Sequence, residues 1–330
     1  MSAIEIRKLT KVFAGGVTAL DGIDLEVREG EIFGLLGPNG AGKTTTIRIL
    51  ATMTRPTSGE AKIFDIDVTR DPDAVRRTIG IVFQDPALDD QLTGYENLDF
   101  HARMYGMRRA DREKRIGEVL TLVGLADRAH ELAEKYSGGM RRRLEIARGL
   151  MHYPRVLFLD EPTLGLDTQT RRVIWDHIRS LNELYRITII LTTHYMEEAD
   201  YLCSRVAIID HGRILTLDTP ANLKESIGGD VVTLRVKDTA GMEAVARSMN
   251  PDAMIKVHDS SVSIALANAG DRIPELLKRA GSSGIEVESV DLHKPTLEDV
   301  FLHYTGATIR EQESGAVDRM RMHIRARMRR

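Results

Sequence analysis

The stretch Gly37-Pro38-Asn39-Gly40-Ala41-Gly42-Lys43-Thr44, continued by Thr45, decides how the first two thirds of this chain fold. It follows the apolar run Ile32-Phe33-Gly34-Leu35-Leu36 and opens a segment with helical character. Glycines allow left-handed backbone angles, and a turn before a helix presents free N–H groups and the positive helix end to an anion. The spacing therefore predicts a phosphate-binding loop, in which Lys43 reaches the β- and γ-phosphates of a nucleotide and Thr44 offers its hydroxyl to Mg²⁺. The alternative is a glycine-rich turn that only joins a strand to a helix.

Two adjacent carboxylates, Asp160 and Glu161, follow a second apolar run at residues 156–159. An apolar run of this kind is typical of a buried parallel strand, whose carboxyl end points into the ligand crevice of an α/β sheet. We expect Asp160 to hold Mg²⁺, directly or through water, and Glu161 to act as the base that orients or deprotonates an attacking water. The alternative is that both only cap the next helix.

A second glycine turn, Ser137-Gly138-Gly139, opens the predicted helix at residues 140–150. It offers a second anion site of the same physical kind. If the first loop holds one nucleotide triphosphate, the second turn must bind the phosphate of a different nucleotide. The most economical source is a second copy of the chain, so the sequence predicts a homodimer with the nucleotide sandwiched between its subunits.

In chain order, GPNGAGKTT, Gln84 after a strand, YSGGM, LFLDEP, GLD and TTH resemble the ATP-binding subunit of ABC transporters over residues 4–223. The resemblance implies that Phe13 stacks on adenine, and that Gln84 senses Mg²⁺ and the attacking water. It also implies that Ser137, Gly138 and Gly139 contact the γ-phosphate held by the opposite subunit. Asp167 would belong to the loop that links the two sites, and His194 would be the switch histidine that touches the γ-phosphate.

Each of these roles has a structural alternative. The alternative for Phe13 is a core aromatic, for Gln84 a polar residue at a strand end, and for His194 a structural histidine. The chain also departs from the family pattern. Tyr136 and Met140 stand where leucine and glutamine usually flank Ser-Gly-Gly, which puts in doubt any contact that needs the glutamine amide and the rate of hydrolysis. Gly165 stands where the family commonly has a serine, in the loop that leads to Asp167.

The resemblance implies an α/β fold: a P-loop NTPase ABC cassette with a parallel-sheet core, an antiparallel β subdomain and a helical subdomain at about 92–135. We expect this cassette at residues 1–225. Residues 231–305 read as a small βαββαβ ferredoxin-like accessory domain. Residues 306–330 form an arginine-rich tail with the composition of disorder, which is either solvated or held against anionic lipid headgroups.

The motif Pro295-Thr296-Leu297-Glu298-Asp299-Val300-Phe301 resembles the carboxyl-terminal extension of exporter subunits of the daunorubicin-resistance type. Its alternative reading is a helix capped by Thr296 and Asp299. The same alternatives apply to residues 92–135, which either dock on the cytoplasmic loops of a membrane permease, as in the resembled family, or form a plain helical insertion.

Composition limits the function classes. The single cysteine, Cys203, excludes an intrachain disulfide, and a net charge of −3 gives no overall reason to expect nucleic acid. No signal peptide or unbroken apolar run of spanning length is visible, so a membrane role must come from a partner.

We therefore expect a peripheral ATPase at the cytoplasmic side of the membrane, with ATP and Mg²⁺, that energises export of a small drug-like molecule through a permease. The alternatives are a soluble ABC-type ATPase acting on nucleic acid or ribosomes, a P-loop kinase, an importer ATPase, and a transporter ATPase for lipid, ion or polysaccharide.

Overall fold

The computed structural model describes residues 1–85, 87–251 and 253–305. The predicted arginine-rich tail at 306–330 lies outside the described residues. The chain divides into two compact units between Leu217 and Asp218. This division comes earlier in the chain than the predicted end of the first domain at residue 225.

The first unit is built on two sheets. Its strands are β1 (Ser2–Val12), β2 (Thr18–Arg28), β3 (Ile32–Leu36), β4 (Ser58–Ile63), β5 (Ile66–Asp67), β6 (Ile79–Val82), β7 (Val156–Asp160), β8 (Thr188–Thr193), β9 (Arg205–Asp210) and β10 (Arg213–Asp218). One sheet has the order β2-β1-β4-β5 with antiparallel pairing, and the other has the order β10-β9-β3-β8-β7-β6. Strands β9, β3, β8, β7 and β6 pair in parallel, so the predicted division into a parallel core and an antiparallel subdomain is confirmed.

The parallel strands bring the predicted site residues to one edge. Strands β3, β7 and β8 are buried along their whole length, as their apolar sequences predict. The register pairs Leu36 with Thr193 and Asp160 with Thr192. The glycine loop, the paired carboxylates and the segment before His194 thus all start from the carboxyl edge of the same sheet, where ligands of α/β folds bind.

Seven helices of the first unit are found among the described residues. They are α1 (Lys43–Leu50), α2 (Pro72–Thr78), α3 (Gly94–Met104), α4 (Arg109–Leu122), α5 (Gly138–Gly149), α6 (Thr168–Tyr185) and α7 (Met196–Leu202). Helices α3 and α4, with two short 3-10 turns, lie in the stretch at about 92–135 that was expected to be helical, and both pack against each other and against α5. Helix α3 begins with a capping box, because Thr93 Oγ1 accepts from Glu96 N and the Glu96 carboxylate accepts from Thr93 N.

The second unit begins with helix α8 (Pro220–Glu225), which the sequence analysis did not anticipate, and continues with the predicted βαββαβ order. Its elements are β11 (Asp230–Val236), α9 (Thr239–Met249), β12 (Ile255–His258), β13 (Ser261–Leu266), α10 (Ala269–Ser282), β14 (Val287–His293) and α11 (Leu297–Thr305). The sheet order β12-β13-β11-β14, antiparallel throughout, is that of a ferredoxin-like domain. Thr296 and Asp299 form the capping box that was one of the two readings of the α11 motif.

The cysteine of the chain lies in the core of the first unit. Cys203 is buried beside Gly34 of β3, where an added Cβ would come within 2.7 Å of the Cys203 sulfur. A side chain at position 34 would therefore collide with the sulfur. Burial raises the pKa of the Cys203 thiol well above its usual value, and nearby carboxylates add to this effect.

Candidate nucleotide site

The glycine loop connects β3 to α1 and is held by backbone contacts. Gly37 N donates to Thr193 O at 3.2 Å, and Ala41 N donates to Pro38 O at 3.2 Å. A Cβ on Gly37 would lie 2.1 Å from Ile209 O, so only glycine fits there. Gly42 has a φ of 110° at the first turn of α1, in the left-handed region that favours glycine. The loop thus leads directly into the amino end of α1, whose positive dipole end favours an anion.

Lys43 is directed back over the loop. Its Nζ donates to Gly37 O at 2.7 Å and to Pro38 O at 3.0 Å, and it lies 3.5 Å from Glu161 Oε1. The residue is only 4 % exposed. A buried ammonium that faces the loop and the Glu161 carboxylate, directly after β7, is suited to meet the phosphates of a nucleotide at this point.

Asp160 is the centre of a small group of oxygen atoms. Its Oδ1 accepts from Thr44 Oγ1 at 3.1 Å and from Thr192 Oγ1 at 2.5 Å. Carboxylate and hydroxyl oxygens are the ligands that Mg²⁺ takes, usually one or two from protein with phosphates and waters completing the octahedron. Thr44 and Asp160 therefore fit the role expected for them.

Glu161 takes an unusual backbone conformation directly after β7. Its φ is 48°, which costs a non-glycine residue about 1–3 kcal/mol and is characteristic of functional sites. Two contacts hold it there, since Glu161 N donates to Thr192 O and to Thr192 Oγ1, each at 3.1 Å. The strained turn directs the carboxylate towards Lys43 and His194, whose Nδ1 lies 3.2 Å from Glu161 Oε2.

The charge of Glu161 is stabilised by these neighbours. Burial alone would raise the pKa of this carboxyl, but the His194 imidazole and the Lys43 ammonium together hold that pKa below its ordinary value. Glu161 is therefore ionised at neutral pH. A buried carboxylate of this kind is able to orient a water molecule by accepting a hydrogen bond from it.

Gln84 lies beside this cluster and not within it. Its exposed side chain follows β6 and lines a cavity of about 230 Å³ together with Glu161 and Gly138. Of the three residues expected to hold Mg²⁺, the structure thus joins Thr44 and Asp160 by a hydrogen bond and places Gln84 on the Glu161 side.

The second glycine turn and the loop of Asp167 both end as helix caps. Ser137 is exposed and caps α5, with Met140 N donating to its Oγ at 3.3 Å. Asp167 caps α6, because Thr170 N and Thr170 Oγ1 donate to its carboxylate at 2.9 and 2.6 Å. These bonds lower the pKa of Asp167. A Cβ on Gly139 would meet Thr170 Cγ2 at 2.5 Å, so glycine allows the two caps to pack closely.

The remaining predicted residues differ in exposure. Phe13 is 41 % exposed in the turn after β1, with Lys11 Nζ 5.0 Å from its ring centre, so it is not a core aromatic. Asn39 and Gly40 are exposed at the tip of the glycine loop, while Thr45 is half-buried on α1.

Sequence reasoning missed two buried charged residues that contact the site loops. Arg142 of α5 donates to the carbonyl oxygens of Glu161 and Pro162, and Glu198 of α7 accepts from Thr163 Oγ1 at 2.7 Å. In the sequence both look like ordinary solvated charged residues. The only signal was position, because Arg142 follows the second glycine turn and Glu198 follows His194.

Comparison with known proteins agrees with this geometry. The family model described as "ABC transporter" matches residues 20–164, and the model described as "ATP-binding protein DrrA1-3-like, C-terminal domain" matches residues 219–305. The daunorubicin/doxorubicin resistance ATP-binding protein DrrA of Streptomyces peucetius is 42% identical over 92% of this chain and 92% of its own length. The linearmycin resistance ATP-binding protein LnrL of Bacillus subtilis (strain 168) is 39% identical over 90% of this chain and 96% of its own.

Among solved structures, a dimeric post-hydrolysis state of the ATP-binding cassette MJ0796 bound to ADP and Pi is similar to this chain. The TM-score is 0.59 at 30% sequence identity, and the match covers 66% of this chain and 98% of the other.

Proposed function

Because the chain belongs to the family of ABC transporter ATP-binding proteins, it binds and hydrolyses ATP, and we propose that this hydrolysis powers export of a small drug- or antibiotic-like molecule through a separate membrane permease. The observation that carries the proposal is the cluster of Lys43, Glu161 and His194 at the end of the glycine loop. Two relatives named for drug resistance, each matching along most of the chain, support export as the direction.

In the chemistry that we propose, the phosphates of ATP lie against the glycine loop at the amino end of α1 and Lys43 contacts the β- and γ-phosphates. The Glu161 carboxylate orients a water molecule in line with the γ-phosphorus and takes up its proton. A bond forms from the water oxygen to phosphorus and the bond to the β-bridging oxygen breaks, which gives ADP and phosphate. His194, beside Glu161, donates to a γ-phosphate oxygen, and Phe13 stacks on the adenine.

Thr44 and Asp160 would hold Mg²⁺, with Gln84 reaching it from the Glu161 side. When bound, the ion would neutralise charge on the β- and γ-phosphates. What this chain contributes is the fixed placement of the two oxygen ligands, which Thr192 secures through its 2.5 Å bond to Asp160.

We propose that two copies close around two ATP molecules, with Ser137, Gly138 and Gly139 of each subunit on the γ-phosphate of the other. The exposure of Ser137 and Gly138 in the single chain supports this arrangement, since their polar groups face outward. The match to a dimeric cassette supports the two-fold assembly. Asp167, at the adjacent cap of α6, would then lie near the two-fold axis.

We assign permease docking to α3 of the helical region. Phe100 and Met104 are 62 % and 71 % exposed on this helix, and Tyr105 follows at 39 %. Large apolar side chains in such an exposed group favour a partner surface. Among the described residues no helix has both the length and the apolar character that crossing a bilayer requires. We propose that the subunit acts at the cytoplasmic side of the membrane through its permease.

The test is the pair of variants Glu161→Gln and Glu197→Gln in the full chain. Glu197 is exposed on α7 and serves as the matched control. We expect E161Q to lose hydrolysis by about 100-fold or more, as loss of a general base does, while it forms an ATP-dependent dimer on size exclusion. E197Q should match the wild type. Hydrolysis by E161Q at the wild-type rate would refute the base assignment, and an ATP-bound monomer would refute the sandwich.

Export is tested separately with the permease present. We expect inside-out vesicles that contain both proteins to accumulate a fluorescent anthracycline on addition of ATP, and vesicles with E161Q to accumulate none. Equal accumulation by vesicles with the wild-type subunit and vesicles with E161Q would contradict coupling of hydrolysis to export.

A further inference from the structure

Helix α5 carries a buried ion pair that the proposed chemistry does not use. Arg142 and Glu145 are 7 % and 3 % exposed, and Arg142 Nη1 donates to Glu145 Oε2 at 2.8 Å. Removing two charges from water is costly, and a well-packed apolar pair is often at least as stable. Stability alone therefore explains this pair poorly. The other hydrogen bonds of Arg142 and Glu145 indicate a role in the nucleotide site.

The Arg142 guanidinium holds the turn that contains Glu161. Its Nη2 donates to Asp160 O at 3.0 Å and to Glu161 O at 3.1 Å, and its Nε donates to Pro162 O at 2.7 Å. This turn includes the left-handed backbone of Glu161, which persists only if its surroundings hold it. Three successive carbonyl groups are thus fixed by one planar fork of donors.

The same pair holds the polypeptide on both sides of Gln84. Arg142 Nη1 donates to Phe83 O at 2.7 Å, while Glu145 Oε1 accepts from Ala87 N at 3.0 Å. Two neighbouring side chains of one helix therefore connect the residues around Gln84 with the turn of Glu161.

We propose that Arg142 and Glu145 are positioning residues that couple the Ser137-Gly138-Gly139 turn of α5 to Gln84 and Glu161 of the same chain. The proposal rests on the proposed function. Helix α5 begins at that turn and carries Arg142 one turn further on. Contact of the turn with the partner's nucleotide therefore sets the position of the general base Glu161 in the nucleotide site of the same chain. The link uses Arg142 and needs no amide at Met140.

Arg143 supplies a matched control. It is the next residue of α5, and its Nη1 donates to Val123 O at 2.8 Å and Gly124 O at 3.3 Å in the helical region. Loss of Arg143 removes an arginine and its carbonyl contacts from the same helix without touching the segments of Gln84 or Glu161.

The experiment measures kcat, KM and the thermal midpoint of Arg142→Gln, Arg142→Gln with Glu145→Gln, and Arg143→Gln. We expect R142Q to lower kcat by about tenfold or more with KM within about threefold, the pattern of an interaction needed in the transition state. R142Q also leaves Glu145 as an unpaired buried charge, so its midpoint should fall. The double variant should regain midpoint but not kcat, because the carbonyl contacts stay absent.

Arg142→Lys adds a further discrimination, because a lysine is a single point charge that cannot replace the planar fork. We expect R142K to keep the low kcat. Wild-type kcat in R142Q, or recovery of both midpoint and kcat in the double variant, would overturn the proposal. Failure of the proposed function gives a different result, namely unchanged hydrolysis in E161Q.

Discussion

Replacing Glu198 tests how the loops behind the nucleotide site are joined. Glu198 on α7 is fully buried, and its Oε1 accepts from Thr163 Oγ1 at 2.7 Å and from Trp175 Nε1 at 2.8 Å. Thr163 lies shortly after Glu161, and Trp175 lies on α6, the helix that Asp167 caps. One carboxyl oxygen therefore ties together three segments that carry proposed site residues.

The size of the effect follows from the two donors. In Glu198→Leu both remain buried without an acceptor, and each unsatisfied group costs about 1–3 kcal/mol, so we expect a loss of about 2–6 kcal/mol. Glu198→Gln keeps a carbonyl oxygen at the same place and should lose about 1 kcal/mol or less. The difference in unfolding free energy between E198L and E198Q measures the contribution of the hydrogen-bond acceptor, because both variants keep a side chain of similar size.

The assay is denaturant unfolding followed by the fluorescence of Trp175. This is the only tryptophan of the chain and it reports on the first unit directly. Stability of E198L equal to that of the wild type would refute the role of the acceptor. A loss in E198Q as large as in E198L would show that a charge is required at this position.

The pH dependence gives an independent check with a definite sign. Burial raises the pKa of Glu198, and the hydrogen bonds to it oppose this effect only in part. The folded protein then holds a proton that the unfolded chain releases, so stability falls as pH rises from the unfolded carboxyl range near about 4.3 towards the folded pKa. Glutamine does not titrate. We expect the unfolding free energy of the wild type minus that of E198Q to decrease across this window, and a constant difference would contradict the raised pKa of Glu198.

Three other predictions concern the predicted contacts with nucleotide. Gly37→Ala places a Cβ 2.1 Å from Ile209 O, so the loop must shift, and we expect ATP affinity to fall by about tenfold or more by equilibrium titration; unchanged affinity would count against the loop geometry. Phe13→Ala should leave the thermal midpoint unchanged, because the ring is 41 % exposed, but weaken ATP by about 1–3 kcal/mol if the ring stacks on the base; equal ATP and inorganic triphosphate losses would argue against stacking. Asp167→Asn keeps the cap of α6, while Asp167→Ala loses it at a cost of about 1 kcal/mol. We therefore expect hydrolysis to fall in both variants and stability to fall only in the alanine variant. Full hydrolysis by the asparagine variant would show that hydrolysis does not need the negative charge of Asp167.

The parts of this fold that the sequence predicted are those with strong local signals. Strands β3, β7 and β8 each carry a short apolar run and are buried along their whole length, because both faces of a parallel sheet are covered. The spacing of the glycine loop identifies the strand end at which it must lie. These two facts predict from the sequence alone that Lys43, Asp160 and Glu161 meet.

The parts that it could not predict depend on tertiary packing. Helices α2, α7 and α8 are too short to show a helical period, so their sequences read as loops. Arg142 and Glu145 stand one turn apart on a helix, a spacing that normally indicates a solvated ion pair. Their burial arises because α5 packs against residues around β6 and β7 that are distant in sequence, and a single sequence carries no record of that.

The position of Cys203 has a practical consequence for observing this molecule at work. Its sulfur lies against Gly34 in the core and its raised pKa keeps it as the protonated thiol, which reacts poorly with maleimides and other electrophiles. The natural chain is therefore almost silent in thiol labelling. A cysteine introduced at Glu197, which is exposed and lies outside the proposed nucleotide contacts, would carry a dye or crosslinker almost alone. The approach of the two subunits could then be followed by energy transfer without first removing the native cysteine.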